Sequence, residues 1–347
     1  MIDKLFGYFS KDMGIDLGTA NTLVYVRGRG IVINEPSVVA INQKTGQVLS
    51  IGSEAKRMLG RTPQHIVAIK PLSNGVISDF EVTEQMLKYF IDTVHKDQLT
   101  PVPRPRVVIG IPSQITEVEK RAVEDAARNA GARQVFLVEE PIAAAIGARL
   151  PIHHAVGSMV VDIGGGTTDI AVISLGGIVV SKTLKIAGDK LNQDIIRYMR
   201  DEHKLLLGEM AAEQAKISVG SAYPTREKLQ DVIRGRDLVT GLPKEVDVDA
   251  DEIRKAMASS VATLVHAVKA AVEVTPPELV SDIARNGILL TGGGSLLRGL
   301  NTLIEEETKI PVRTVEDPLT SVVIGTGIIL ENLSELSDIL VKSQYEE

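Results

Sequence analysis

Two short segments of this chain are versions of one element. Asp16-Leu-Gly-Thr-Ala-Asn-Thr22 and Asp162-Ile-Gly-Gly-Gly-Thr-Thr-Asp169 each follow an apolar run, Met13-Gly-Ile15 and Met159-Val-Val161, and each passes from a carboxylate into Gly and Thr. They start 146 residues apart, the length of one domain. Such a duplication constrains the chain to two related domains in tandem, each presenting a strand-turn-strand with an acidic residue beside the turn. The Gly and Thr residues expose N–H groups and hydroxyls that form an anion-binding concavity, and a neighbouring carboxylate can hold a hydrated divalent cation. Asp-Gly turns also simply connect hairpins. The matched second copy favours a phosphate-plus-magnesium site over that reading.

The surrounding pattern predicts α/β layers. β-branched runs at 22–26, 31–33 and 38–41 read as successive strands of an antiparallel or mixed sheet, and further strands recur at 107–111, 135–138, 159–163, 170–175 and 178–183. Between them, Thr-Glu-Val-Glu-Lys-Arg-Ala-Val-Glu-Asp-Ala-Ala-Arg-Asn-Ala-Gly over 116–131 predicts a helix. Thr116 caps its start with Glu119 three residues on, Gly131 suits a left-handed end, and Glu117–Arg121 and Glu124–Arg128 have i,i+4 spacing. Residues 182–252 are richer in charge and helix formers, and Pro224, Gly235, Gly241 and Pro243 punctuate them; they read as an inserted subdomain.

Composition removes several function classes. The 347 residues are 44% hydrophobic, enough for two ordinary domains, and the net charge of −7 leaves no basic excess for a nucleic-acid backbone. With no cysteine, zinc fingers, thiol nucleophiles and iron–sulfur clusters are excluded, and a reducing cytoplasm is the expected setting. No apolar stretch reaches 18 residues, and the N-terminus lacks a secretory pattern. His153 and His154 have no third partner at helical spacing and read as surface histidines rather than a metal site.

A third motif, Ile288-Leu-Leu-Thr-Gly-Gly-Gly-Ser295-Leu-Leu-Arg-Gly299, runs from a buried strand into three glycines and a helix, which lets a flat group or a phosphate approach the backbone. A plain strand-to-helix turn reads the same way. No segment fits G-x-x-x-x-G-K-[ST] or G-x-G-x-x-G, so nucleotide binding requires another architecture. The three motifs, in this order and with Glu139-Glu-Pro-Ile-Ala-Ala-Ala-Ile146 between them, resemble the phosphate loops, connecting helix and adenosine motif of the actin, sugar-kinase and heat-shock-chaperone ATPase superfamily. The resemblance is closest to the MreB family of bacterial actin homologues and runs along nearly the whole chain. Ala20-Asn-Thr-Leu23, Asn34-Glu-Pro-Ser-Val38, Glu54-Ala-Lys-Arg-Met-Leu-Gly-Arg-Thr-Pro63 and Gly75-Val-Ile-Ser-Asp-Phe80 carry it.

That resemblance implies an α/β actin-like ATPase fold of two related ribonuclease-H-like domains around a nucleotide cleft. Domain I would be 1–141 plus 321–347 with a subdomain at about 32–75, and domain II 142–320 with a subdomain at about 182–252. It implies ATP and Mg2+ as ligands, with Asp16 and Asp162 holding the metal through water. Gly18, Thr19, Ala20, Asn21, Gly164, Gly165 and Gly166 would cradle the phosphates, and Glu140, assisted by Thr167, would orient or deprotonate the attacking water. Glu213 and Lys216 would contact the nucleoside, although their i,i+3 spacing equally suits a solvated salt-bridged helix face. Gly292, Gly293 and Gly294 would pack against the adenosine. Glu139 is the weaker carboxylate candidate, and Asp169 reads as structural.

Ile2, Leu5, Phe6, Phe9 and Met13 form one apolar stripe in the first thirteen residues, with Gly7 and a zero side-chain charge against it. It either lies on a membrane or packs on its own domain. MreB-like proteins bind the inner face of the membrane through such a segment or through an apolar loop, here near Leu99-Thr-Pro-Val102, flanked by Lys96, Arg104 and Arg106. The resemblance further implies slow ATP hydrolysis coupled to head-to-tail protofilaments, paired through the 116–131 helix, and membrane partners in cell-wall elongation. Two other functions share the fold. A chaperone-type ATPase needs a peptide-binding domain for which the chain leaves no space, and a sugar kinase generally carries further insertions for its substrate.

Overall fold

The structure is a computed structural model and describes residues 10–96 and 103–342. Of the apolar stripe at 2–13, residues 1–9 lie outside the described residues, as does the loop at 97–102, whereas Met13 departs from the expected helical stripe: it opens a strand and is buried in the core, where sheet packing takes its side chain. In chain order come β1 (Met13–Leu17), β2 (Asn21–Val26), β3 (Gly30–Pro36), β4 (Val39–Asn42), β5 (Val48–Ile51), α1 (Ser53–Met58), β6 (Ile66–Ile69), β7 (Leu72–Ser73), β8 (Val76–Ile77), α2 (Phe80–His95), β9 (Arg106–Ile111), α3 (Glu117–Asn129), β10 (Gln134–Glu139) and α4 (Glu140–Gly147). There follow β11 (Ser158–Ile163), β12 (Thr168–Ser174), β13 (Gly177–Leu184), α5 (Gly188–His203), β14 (Leu205–Leu206), α6 (Glu209–Val219), β15 (Gln230–Asp237), β16 (Pro243–Asp249), α7 (Ala250–Glu273), α8 (Pro277–Asn286), β17 (Ile288–Thr291), α9 (Leu300–Thr308), β18 (Val312–Thr314) and α10 (Ser321–Glu331). The predicted strands are all present, with ends that differ from expectation by up to three residues.

The chain divides into two compact units, residues 1–156, 173–178 and 319–347, and residues 157–172 and 179–318. Their sheets are built alike. The first has the order β10-β9-β1-β2-β3 and the second β18-β17-β11-β12-β13. In each, the strand that carries the acidic motif is central. The next two strands in sequence lie to one side, and two later strands, running parallel, lie to the other. The duplicated sequence element is therefore duplicated topology.

In the first unit, α2 buries Val82, Met86, Leu87, Phe90 and Ile91, the stripe of an amphipathic helix, with Asp79 capping its start by accepting from the Val82 N–H at 3.1 Å. Each such side chain contributes about 1.5–3 kcal/mol of burial. Helix α3 forms the predicted capping box between Thr116 and Glu119. The ion pairs differ from expectation: Glu117 pairs with Lys120 at 2.8 Å and Arg121 with Asp125 at 3.5 Å, while Glu124 is buried on the inner face. Helices α4 and α10 touch backbone to backbone, because a Cβ on Gly147 would strike the Ser321 carbonyl and one on Gly325 the Ala143 carbonyl. This contact keeps α4 in the first unit. A small sheet, β5-β4-β6, closes over Val38, Ala40 and Ala55. In the second unit, α7 buries Ile253, Met257, Leu264 and Val268, and β14-β15-β16 form a separate sheet within the predicted insertion. Among the described residues, no helix is long and apolar enough to cross a membrane.

Candidate functional site

The first hairpin places Asp16 near the end of β1, in register with Leu23 of β2 and with Gly110 of β9. Burial pushes its carboxyl up from 3.8 to about 7. Gly18 permits the turn, since a Cβ there would lie 2.7 Å from the Asn21 carbonyl oxygen. Buried Ser37 holds the turn from behind: its hydroxyl donates to the Gly18 carbonyl at 2.5 Å and its N–H to the Ala20 carbonyl at 3.0 Å. Thr19 is buried, and its hydroxyl accepts the Gly75 N–H at 3.0 Å. Asn74 and Gly75, both at positive φ, form the two-residue turn between β7 and β8, so this small hairpin docks its tip on Thr19.

Glu140 begins α4 directly after β10. In register, Val138, Gly110 and Asp16 form one row across β10, β9 and β1, so side chains in that row share a face. A Cβ on Gly110 would lie 3.4 Å from Cγ of Glu140 and 3.1 Å from Val322. Glu140 thus lies over Gly110 on the same face as Asp16, one strand away. Glu139 is instead the last residue of β10, opposite Ile111. Nothing in the local pattern marks Gly110 or Ser37; both follow from long-range register.

The second unit repeats the plan. Asp162, buried near the end of β11, is in register with Thr291 of β17. The turn after it is closed by the Gly164 N–H donating to the Thr167 carbonyl at 2.9 Å, and Thr167 is itself buried. Helix α5 begins against this turn, its Gly188 and Asp189 N–H groups donating to the Gly164 and Gly165 carbonyls at 3.2 and 2.8 Å. Lys216 on α6 reaches the same place: its Nζ donates to the Gly188 carbonyl at 2.9 Å. Glu213 lies one turn earlier on α6. A Cβ on Gly188 would lie 3.3 Å from the Lys216 ammonium and 3.5 Å from the Gly164 carbonyl oxygen. Gly188, the first residue of an amphipathic helix, is the sequence signal that could have pointed to this contact.

The three glycines after β17 have a structural duty in addition to any ligand. Gly292, at φ +77°, would drive a Cβ into the Asp162 carboxylate and the Ile163 carbonyl, and Gly294 into the Ile163 side chain, whereas Gly293 is exposed. The loop therefore folds onto the end of β11, with Ser295 donating to the Gly292 carbonyl at 2.7 Å. Arg298 then donates to the Ile217 and Gly220 carbonyls at 2.9 and 3.2 Å, tying the loop to the end of α6. Asp169 accepts from the Thr183 hydroxyl at 2.6 Å within its sheet, a structural role. His153 and His154 are exposed.

The second unit thus brings together Asp162, Gly164, Gly165, Thr167, Lys216, Gly292 and Gly294, and the first brings together Asp16, the Gly18–Asn21 turn and Glu140. Oxygen donors, backbone amides at tight turns and a carboxyl held out of water fit a polyphosphate with a hard, hydrated cation. Among the described residues, no three His, Asp or Glu side chains form a ready metal cage.

The family model described as MreB/Mbl protein matches residues 10–338. The cell shape-determining protein Mbl of Bacillus subtilis (strain 168) is 52% identical over 328 residues, covering 94% of this chain and 98% of that protein. Among solved structures, MreB5 of Spiroplasma citri bound to ADP superposes with a TM-score of 0.89 at 37% identity, covering 95% of this chain and 98% of the other. A MamK double helical filament subunit shares the fold at a TM-score of 0.78 and 24% identity, with coverages of 93% and 99%. By sequence over almost its whole length and by an actin-like α/β fold, the chain belongs to the MreB/Mbl protein family.

Proposed function

We propose that this chain is an ATP-dependent, filament-forming cytoskeletal protein that associates with the inner face of the cytoplasmic membrane and maintains cell shape by organising cell-wall elongation. The observation that carries the reading is the pair of topologically equivalent hairpins, each presenting an aspartate at the end of a central strand. Relatives named for cell-shape determination, an ADP-bound relative and a filament-forming one support it.

Asp16 and Asp162 would hold magnesium through its waters, and the bound ion would neutralise phosphate charge. Gly18, Thr19, Ala20 and Asn21 hold one phosphate-facing turn. Because the Gly164 N–H serves its own turn, the amides that the second hairpin offers to phosphate are those of Gly165 and Gly166. Glu140 orients or deprotonates the attacking water, with Thr167 assisting, so hydrolysis is mainly positioning. Glu213 and Lys216 contact the nucleoside, and the 292–294 turn receives its flat face. Self-association is head to tail and open-ended, and residues 1–9 or the loop near Leu99 touch the membrane.

Sedimentation with and without ATP and magnesium, read beside electron microscopy, tests the assembly reading. Nucleotide-dependent polymer in the pellet is expected. A soluble monomer that phosphorylates a sugar refutes it. Vesicle co-sedimentation of a chain lacking residues 2–10 tests the N-terminal contact, which unchanged binding would exclude.

A further inference from the structure

At the end of β9 opposite Gly110, the first unit contains a cavity of about 650 Å³ walled by Arg104, Arg128 and Arg133, with Asn129, Gly131 and Gln134 between them. Three arginines meet there on a chain of net charge −7, and no carboxylate lines the space among the described residues. Two nearby carboxylates are occupied beside it. Asp12 accepts from Arg106 through Nε and Nη2 at 2.9 and 2.6 Å and through its backbone N–H at 2.9 Å, with Arg133 Nη2 at 3.6 Å. Glu84 accepts from Asn129 Nδ2 at 3.0 Å.

The wall is held by its backbone. Arg133 donates from Nε to the Arg104 carbonyl at 3.1 Å and from its N–H to the Pro105 carbonyl at 2.9 Å, while the Ala132 N–H reaches the Ala127 carbonyl at 3.1 Å. The Arg104 N–H donates to Ser10 Oγ at 2.9 Å. Guanidinium forks match the spaced oxygens of a phosphate two at a time, and holding the frame in advance lowers the ordering cost of binding.

We propose that this cavity is a phosphate-binding site, filled by the headgroup of an anionic phospholipid. The lipid source rests on the membrane reading above, because residues 97–102 lead directly into Pro103 at the cavity wall. The phosphate chemistry does not.

The test compares the full-length chain with an Arg104→Gln/Arg128→Gln variant and an Arg104→Lys/Arg128→Lys variant, each checked for an unchanged thermal transition. Co-sedimentation uses vesicles of phosphatidylcholine alone and with phosphatidylglycerol. Each arginine near an anionic surface is worth about five-fold in binding, so the Gln variant should lose about 25-fold on phosphatidylglycerol vesicles and nothing on phosphatidylcholine. The Lys variant keeps the charge but not the paired hydrogen bonds, so its binding should fall between that of the parent and that of the Gln variant. A second arm titrates inorganic phosphate and reads melting temperature. If vesicles do not distinguish the variants but phosphate raises the melting temperature of the parent and not of the Gln variant, the site stands with a soluble ligand. If the parent binds neither vesicle, the membrane reading fails and the phosphate arm alone decides the cavity. Equal behaviour of parent and Gln variant in both arms overturns the proposal.

Discussion

Asp16→Asn should stabilise the chain and disable it. Holding a carboxyl at about 7 rather than 3.8 means that ionising it in the folded state costs about 4 kcal/mol more than in the unfolded state. The sign follows from the raised value: this group's contribution is most favourable below pH 3.8 and is lost as pH rises through 7. At pH 8, without nucleotide or magnesium, the carboxylate is charged and poorly hydrated. Asparagine keeps the shape and removes the charge, although its amide still loses water, so about 2–3 kcal/mol should be recovered. For a domain of this size that is roughly 5–10 °C in melting temperature. Calorimetric melts at pH 8 and pH 5 check it, and the gain should shrink at pH 5, where the wild-type carboxyl is already protonated. Magnesium and ATP should then raise the wild-type transition and leave that of the variant unmoved. A variant that melts no higher than wild type at pH 8 refutes the desolvation argument. One that still gains from magnesium-ATP refutes the ligand assignment.

Glu140→Gln keeps the side chain over Gly110 but removes its basicity, so phosphate release should slow by about 10²–10⁴-fold with nucleotide affinity retained, as equilibrium binding would report; lost affinity would remove Glu140 from the water-positioning role. His95 is buried, accepts the Lys11 N–H at Nε2 (2.9 Å) and therefore carries its proton on Nδ1, towards the Ile91 carbonyl at 2.7 Å. Burial lowers its pKa, so the unfolded chain takes the proton first and stability should fall as pH drops below about 6.5. Denaturant midpoints of His95→Gln should lack that part of the slope, and an identical profile would contradict it. Gly325→Ala drives a Cβ into the Ala143 carbonyl and should cost about 1–3 kcal/mol or more in urea unfolding, whereas an unchanged midpoint would mean that α4 and α10 separate freely.

Much of the architecture was legible because it is written in short-range chemistry. The box between Thr116 and Glu119 involves groups three residues apart, and the β-branched runs mark strands wherever they occur. The Asp-Gly-Thr hairpins reveal themselves by repetition. Ion pairing on α3 was not legible, because Glu124 turns inward against the core and its partner choice depends on what that face packs against. The Thr19 hydroxyl, expected to face phosphate, is engaged by Gly75 from 56 residues away.

The sequence by itself determined which residues can serve a phosphate and a cation, since carboxylates, glycines and hydroxyls at a turn carry that capacity in their covalent structure. Only the tertiary structure decided which of them act together. Asp16 shares a face with Glu140 because β9 runs between β1 and β10 with a glycine at the crossing, and Gly292 lies against Asp162 because β17 pairs beside β11. Strand register is fixed by the packing of whole sheets against their helices, and no local segment contains it.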